Sequence, residues 1–258
     1  MLLSEFFEHL VSGELAQLHM GDIDNLRLDV EDFPKVLPSI NLGLTEIYKR
    51  FPIRIEELIL RQQPEISTYM LTGKYAQTSD SNEPVKYIHD SIYEPFQDNV
   101  LKVEQVFNEL GMEIPLNEEI AYNQYNDYAS SSYQPNRHFT NDYNFQSART
   151  PTFNSVQILP HPLAENNLLI KYRAAHAVIP NTADIIPGEI EIDIPLAMLE
   201  PLLLYVGGRV YANMHGEDPN SGAGFIAKFE ASCKKIEDLN LFNKGLVVNT
   251  KLDRAGWS

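Results

Sequence analysis

Apolar residues recur at helical spacing near both ends of the chain and at strand spacing in its middle. At the start, Leu3, Phe6, Phe7, Leu10 and Val11 fall on one helical face, and Gly13 allows a break before Leu15 and Leu18. An acidic link through Asp32 leads to Pro34 and Pro38, which frame the start of a second helix. Its apolar face is Ile40, Leu44, Ile47, Tyr48 and Phe51, and Pro52 ends it. The period then shortens. Residues 58–61 and 66–71 are short and β-prone, and Gln62-Gln63-Pro64-Glu65 joins them as a hairpin. Residues 77–83 are polar and read as a loop. Residues 100–107 alternate as a strand, and Asn108-Glu109-Leu110-Gly111 turns it into 112–116. Two more strands fall at 155–159 and 168–173, with Asn166-Asn167 near the bend between them. The middle of the chain thus reads as a small antiparallel sheet.

Helical spacing returns after Asp193-Ile194-Pro195. Leu199, Leu202, Leu203, Val206 and Val210 form one stripe, and Pro201 marks where the regular helix begins or kinks. Gly207 and Gly208 interrupt that stripe. They cost helix propensity but let a neighbouring backbone come close. Beyond Gly216-Glu217-Asp218-Pro219, with Asn220 or Ser221 as cap, Phe225, Ile226, Phe229, Cys233, Ile236 and Leu239 share the face of a last helix.

Two terminal helical blocks that each bury one stripe need a partner, and each other is the economical choice. The expected fold is α+β: a helical bundle made of residues 1–56 and 191–240, with a β domain, 57–190, inserted between them. Residues 118–150 are expected as a long loop rich in Asn, Gln, Ser and Tyr, suited to a surface that orders against a partner. Residues 241–258 follow the last helix as an extended C-terminal arm. Its apolar trio Leu246, Val247 and Val248 can add to a neighbour's sheet edge, and Trp257 offers a large anchor. The alternative is that this arm folds back on its own bundle.

Composition narrows the function classes. Hydrophobic residues make up 43% and charged ones 22%, as in a globular chain. No apolar run reaches the roughly eighteen residues of a membrane span, and the first residues carry acids where a signal peptide is basic, so a cytoplasmic origin is expected. The net charge of −16 argues against a broad basic surface for gripping phosphates. It fits ordinary solubility, or a wall that nucleic acid passes without sticking. The single Cys233 excludes an internal disulfide and reads as a packed thiol.

The chemistry-bearing residues form no recognisable motif. The histidines at 9, 19, 89, 138, 161, 176 and 215 have no zinc-site spacing, and His176, beside Ala175 and Ala177, reads as a hydrogen-bonded structural residue. Gly222-Ala223-Gly224 lacks the Lys-Ser/Thr of a phosphate loop and reads as a flexible turn. No nucleophile setting is present, and nothing selects an acid–base pair of carboxylates. No catalytic residue, cofactor or metal is expected.

The order of several phrases resembles the head–tail adaptor proteins of tailed bacteriophages, also called connector or head-completion proteins, of the tail tubular protein A type. The phrases are residues 99–106, 113–117, 150–158, 169–174 and 200–206 and the last helix, within a similarity spanning roughly 35–240. The resemblance implies a helical bundle with an inserted β domain, assembled as a ring of twelve copies in the neck of the virion. Such a ring joins the portal protein to the tail tube or nozzle and lets the genome pass with transient, nonspecific DNA contact. It also implies that residues 241–258 grip the portal. Gly207 and Gly208, more small residues than a monomer core demands, are separately expected to serve packing between subunits. Two alternatives remain at this stage: a peripheral tail or baseplate binding module that uses the Tyr-rich loop, and a hydrolase with paired carboxylates.

Overall fold

A computed structural model describes residues 1–16, 20, 27–117, 147–159, 166–182, 184–214 and 222–242. The described residues form an α+β chain with four α-helices and two antiparallel sheets. It divides into two compact units, a helical one of Met1–Arg54 with Ala175–Ser258 and a β unit of Ile55–Ala174.

In the helical unit, α1 (Leu3–Ser12) buries the stripe expected of it, Leu3, Phe6, Phe7, Leu10 and Val11. The Leu2 N–H donates to the Glu5 carboxylate at 2.9 Å, which holds the first turn. Helix α2 (Phe33–Arg50) begins before its prolines rather than after them. Pro34 lies in the first turn, where no N–H is needed, whereas Pro38 is internal and cannot donate to the Pro34 carbonyl. Helix α3 (Leu199–Met214) follows a short 3-10 turn, Leu196–Met198, so Pro201 sits in its first turn. Helix α4 (Ala223–Asp238) buries Phe229, Cys233 and Ile236. Both α1 and α2 pack on α3, and α3 packs on α4.

The boundary expected at 190/191 lies instead at 174/175. The described residues of 175–190 contain no helix, so no periodicity assigns them; hydrogen bonds do. The Asn41 amide spans Ile179, donating to its carbonyl and accepting its N–H, both at 2.9 Å. Leu3 N–H donates to the Ile190 carbonyl and Ile192 N–H to the Met1 carbonyl, each at 2.8 Å.

The β unit holds two sheets where the sequence pattern reads as one. The first has the order β3-β1-β8-β4-β5, from β1 (Ile55–Arg61), β3 (Ile88–His89), β4 (Val100–Phe107), β5 (Glu113–Ile114) and β8 (Asn167–Ala174). The second has the order β2-β7-β6, from β2 (Thr68–Met70), β6 (Ser147–Arg149) and β7 (Ser155–Leu159). The expected hairpin between 58–61 and 66–71 does not form. Strand β1 is flanked by β3 and β8, while β2 pairs with β7, so residues 62–65 carry the chain from one sheet to the other. Strands β7 and β8 likewise belong to different sheets. Alternation orients β1: Leu58 and Leu60 are buried and Ile55, Glu57, Ile59 and Arg61 face out. Both sheets contribute to one core, which includes Leu60, Tyr69, Val106, Val156, Ile158 and Ile170.

Candidate interaction surfaces

Gly207 and Gly208 are both buried on α3. A Cβ on Gly207 would come within 2.9 Å of Glu14, and one on Gly208 within 3.0 Å of Phe225 and Ile226. Their close approach is therefore made inside the chain, and the space expected to receive a neighbouring subunit is already filled. The backbone that comes close to Gly208 is that of Gly222, the N-cap of α4, at φ +83°. A Cβ there would lie 2.3 Å from the Gly208 carbonyl oxygen. Gly222 is thus a fixed helix entry rather than a flexible turn, and it takes the cap position expected of Asn220 or Ser221. Gly43 on α2, unremarked in the sequence pattern, admits Leu202 and Tyr205 of α3 in the same way.

At the end of α2, the Arg50 guanidinium forks onto Glu237 through Nε (3.0 Å) and Nη2 (3.2 Å) and reaches Glu230 through Nη1 (2.7 Å). These pairs tie α2 to α4. Burial pushes the Cys233 thiol up to about 11, and Glu230 and Glu237 add to this against the opposing charge of Arg50. A thiol in that state is inert packing, as the sequence suggests. The His176 ring is held by the Ala177 carbonyl (2.8 Å), the Asn41 carbonyl and the Thr45 hydroxyl (both 3.1 Å), a structural role. Phe242 lies 5.7 Å from the Phe51 ring, so the first residues of the expected arm pack on the helical unit itself. Leu246, Val247, Val248 and Trp257 lie outside the described residues, as do residues 118–146 of the Tyr-rich loop.

The β unit exposes two apolar features at opposite ends of its larger sheet. One is the turn after β3, where Ile92 and Tyr93 are 86% and 95% exposed. Asp90 clamps its base. The carboxylate accepts the Thr78 N–H (3.0 Å), the Phe96 N–H (3.1 Å) and the Thr78 hydroxyl. Partial burial pushes that carboxyl up, but these bonds and one from the Gln77 backbone outweigh it and hold it below its ordinary value. Within the turn, the Glu94 N–H donates to Ser91 at its carbonyl (3.2 Å) and hydroxyl (3.1 Å). Phe96 then anchors edge-on against Tyr172, 6.2 Å between centroids. The tip is held apolar and open to solvent. Its signal in the sequence is an Ile-Tyr pair between Asp-Ser and Glu-Pro.

The second feature is a groove of about 450 Å³ on the outer face of that sheet. Ile59, Leu169 and Phe107 stand opposite one another across β1, β8 and β4 and form its floor. Lys171 stands beside them, 2.9 Å from Glu57 and 5.5 Å from the Phe107 ring centre. The adjoining β4–β5 turn is fixed by the Asn108 side chain, which accepts the Leu110 N–H (3.0 Å) and the Met112 N–H (2.9 Å). Leu110 there is 66% exposed.

Among the described residues, no group of three or more His, Cys, Asp or Glu side chains is placed to hold a metal ion, and no helix is long and apolar enough to cross a membrane. No protein-family model matches the chain, and no curated protein matches it.

Proposed function

We propose that this chain is a structural protein of a tailed-phage virion, a head-to-tail adaptor that forms a closed ring between the portal and the tail tube or nozzle. One observation carries this reading: the helical unit is assembled from both ends of the chain, with a β unit inserted between them. This is the architecture that the resemblance implies for an adaptor. In this reading the four helices form the bundle that builds a ring of twelve copies, the number that the resemblance implies, and the genome passes through its centre. The net charge of −16 suits a lumen that DNA crosses without sticking. The portal-gripping arm of this reading lies within residues 241–258, beyond Phe242, which packs against Phe51.

Co-expression with the portal protein of the same genome, followed by electron microscopy, tests the proposal. The expected result is a closed ring seated on the portal. Deleting residues 243–258 is expected to abolish that attachment while leaving the melting temperature of the remaining chain nearly unchanged. A protein that stays monomeric beside its portal would overturn the adaptor reading.

A further inference from the structure

The last helix turns a basic face to solvent in an otherwise acidic chain. On α4, Phe229, Cys233 and Ile236 are buried, and Gly224, Ala227 and Ala231 lie on the opposite side, all exposed. These small residues recur at i, i+3 and i+7, the spacing of a helix seam. A Cβ on Gly224 meets nothing within 4 Å. Lys228 and Lys235 border the strip on one side and Lys234 on the other, and all are exposed. Among the described residues these lysines form no ion pair, and Lys228 lies 5.8 Å from the neutral Phe225 ring. Arg50 holds Glu230 and Glu237, which leaves Asp238, in the last turn, as the acid beside the strip. The whole chain has 36 acidic side chains against 20 Lys and Arg, so this face runs against the sign of the rest.

The opposite charge sits on α1. Burial of its apolar stripe leaves Glu5, Glu8, His9 and Ser12 along the outer side. Backbone bonds draw residues 187–192 alongside its first turn: Leu3 N–H donates to the Ile190 carbonyl at 2.8 Å and Ser4 N–H to the Pro187 carbonyl at 3.2 Å. Those bonds bring the exposed Glu189 and Glu191 to the same end. Glu5 is engaged with the Leu2 N–H, and Glu191 lies 3.8 Å from the amine of Met1. Glu8 and Glu189 have no ion-pair partner among the described residues, and His9 is the base on that face. Both faces are open to solvent in the single chain, so neither covers the other. Two different, complementary faces on one chain make a heterologous, head-to-tail contact between copies.

We propose that the Gly224–Ala227–Ala231 face of α4 in one copy docks against the outer face of α1 in a second copy, its lysines meeting Glu8, Glu189 and Glu191. The inference rests on the ring reading for why copies meet, and it names the helices through which they do. Small side chains let two helix axes approach to about 8 Å, and lysine and glutamate are long enough to reach across beside such a seam. Exposed ion pairs add little affinity of their own, but they select which faces meet and in what register. A second copy fits this face better than DNA does. Gripping phosphates calls for a broad basic surface, whereas this strip is one helix wide with small uncharged residues along its middle.

Charge reversal in the full-length chain is the test. Lys228→Glu with Lys235→Glu, and separately Glu8→Lys with Glu189→Lys, place like charges opposite one another. Each double variant is expected to weaken self-association by about tenfold or more in low-salt sedimentation, with unchanged circular dichroism. All four substitutions in one chain exchange the signs of the pairs, and are expected to bring association back near that of the original chain. A four-substitution variant no better than the two doubles overturns the docking, as does an original chain that stays monomeric both alone and beside its portal. A lysine double variant that loses binding to a duplex DNA probe while self-associating as before overturns it too. A ring on the portal whose assembly both double variants leave unchanged overturns the docking alone. Recovery by the four-substitution variant in a protein that associates but forms no ring on its portal leaves the docking intact and overturns the adaptor reading instead.

Discussion

Gly222 and Gly224 lie two residues apart and have opposite requirements. Gly222 has φ +83° and faces the Gly208 carbonyl, whereas a Cβ on Gly224 meets nothing within 4 Å. Gly222→Ala is therefore expected to cost about 3 kcal/mol or more, from a strained backbone and a clash with backbone that cannot swing aside. Gly224→Ala, in an open helical position, is expected to gain up to about 1 kcal/mol. Urea denaturation of the two variants checks both signs, and a small effect at Gly222 would mean that α3 and α4 do not meet there. At this scale the sequence was informative about residue type and silent about partner. Gly208 announces a close approach, but nothing local to it names Gly222 as the backbone that comes close. The inert Cys233 and the structural His176 were legible because an apolar helical stripe and flanking alanines limit what such residues can do.

Among the elements, the turn at 90–96 depends on a charged clamp. Asp90→Ala removes the acceptor of the Thr78 and Phe96 amides, and their hydrogen exchange is expected to quicken by about tenfold, near the worth of a bond to an ionised group. The pH dependence has a definite sign. Because the folded carboxyl sits below its ordinary value of 3.8, its contribution is fully present above that value and is lost only as the pH falls through the lower folded one. Protection of both amides should thus persist at neutral pH and fade only in stronger acid. The helices were legible because their 3.6-residue period is a local property, as the buried stripe of α1 shows. The sheets were not. Alternation along β1 fixes which residues face inward, yet its neighbour β8 lies more than a hundred residues downstream, and a short loop such as 62–65 serves a hairpin or a crossing between sheets equally well. Residues 175–190 carry no pattern that assigns them, for a related reason: the Asn41 side chain and the first residues of the chain hold them.

In the whole molecule, the division into two units predicts separable folding. The β unit has its own core and sheet pairing, so residues 55–174 expressed alone are expected to fold cooperatively. A two-state thermal transition with the antiparallel signature in circular dichroism is the check, and a molten or aggregated fragment would count against it. The entry and exit of this unit have a further consequence. Its first strand residue, Ile55, pairs with Arg173, so the chain departs and returns across a single strand spacing of about 5 Å. The two ends of the β unit thus lie side by side. A few glycines joining Arg54 to Ala175 should span that gap and preserve the helical signal. Segments of very different length could stand in the β unit's place, provided that their own two ends lie equally close.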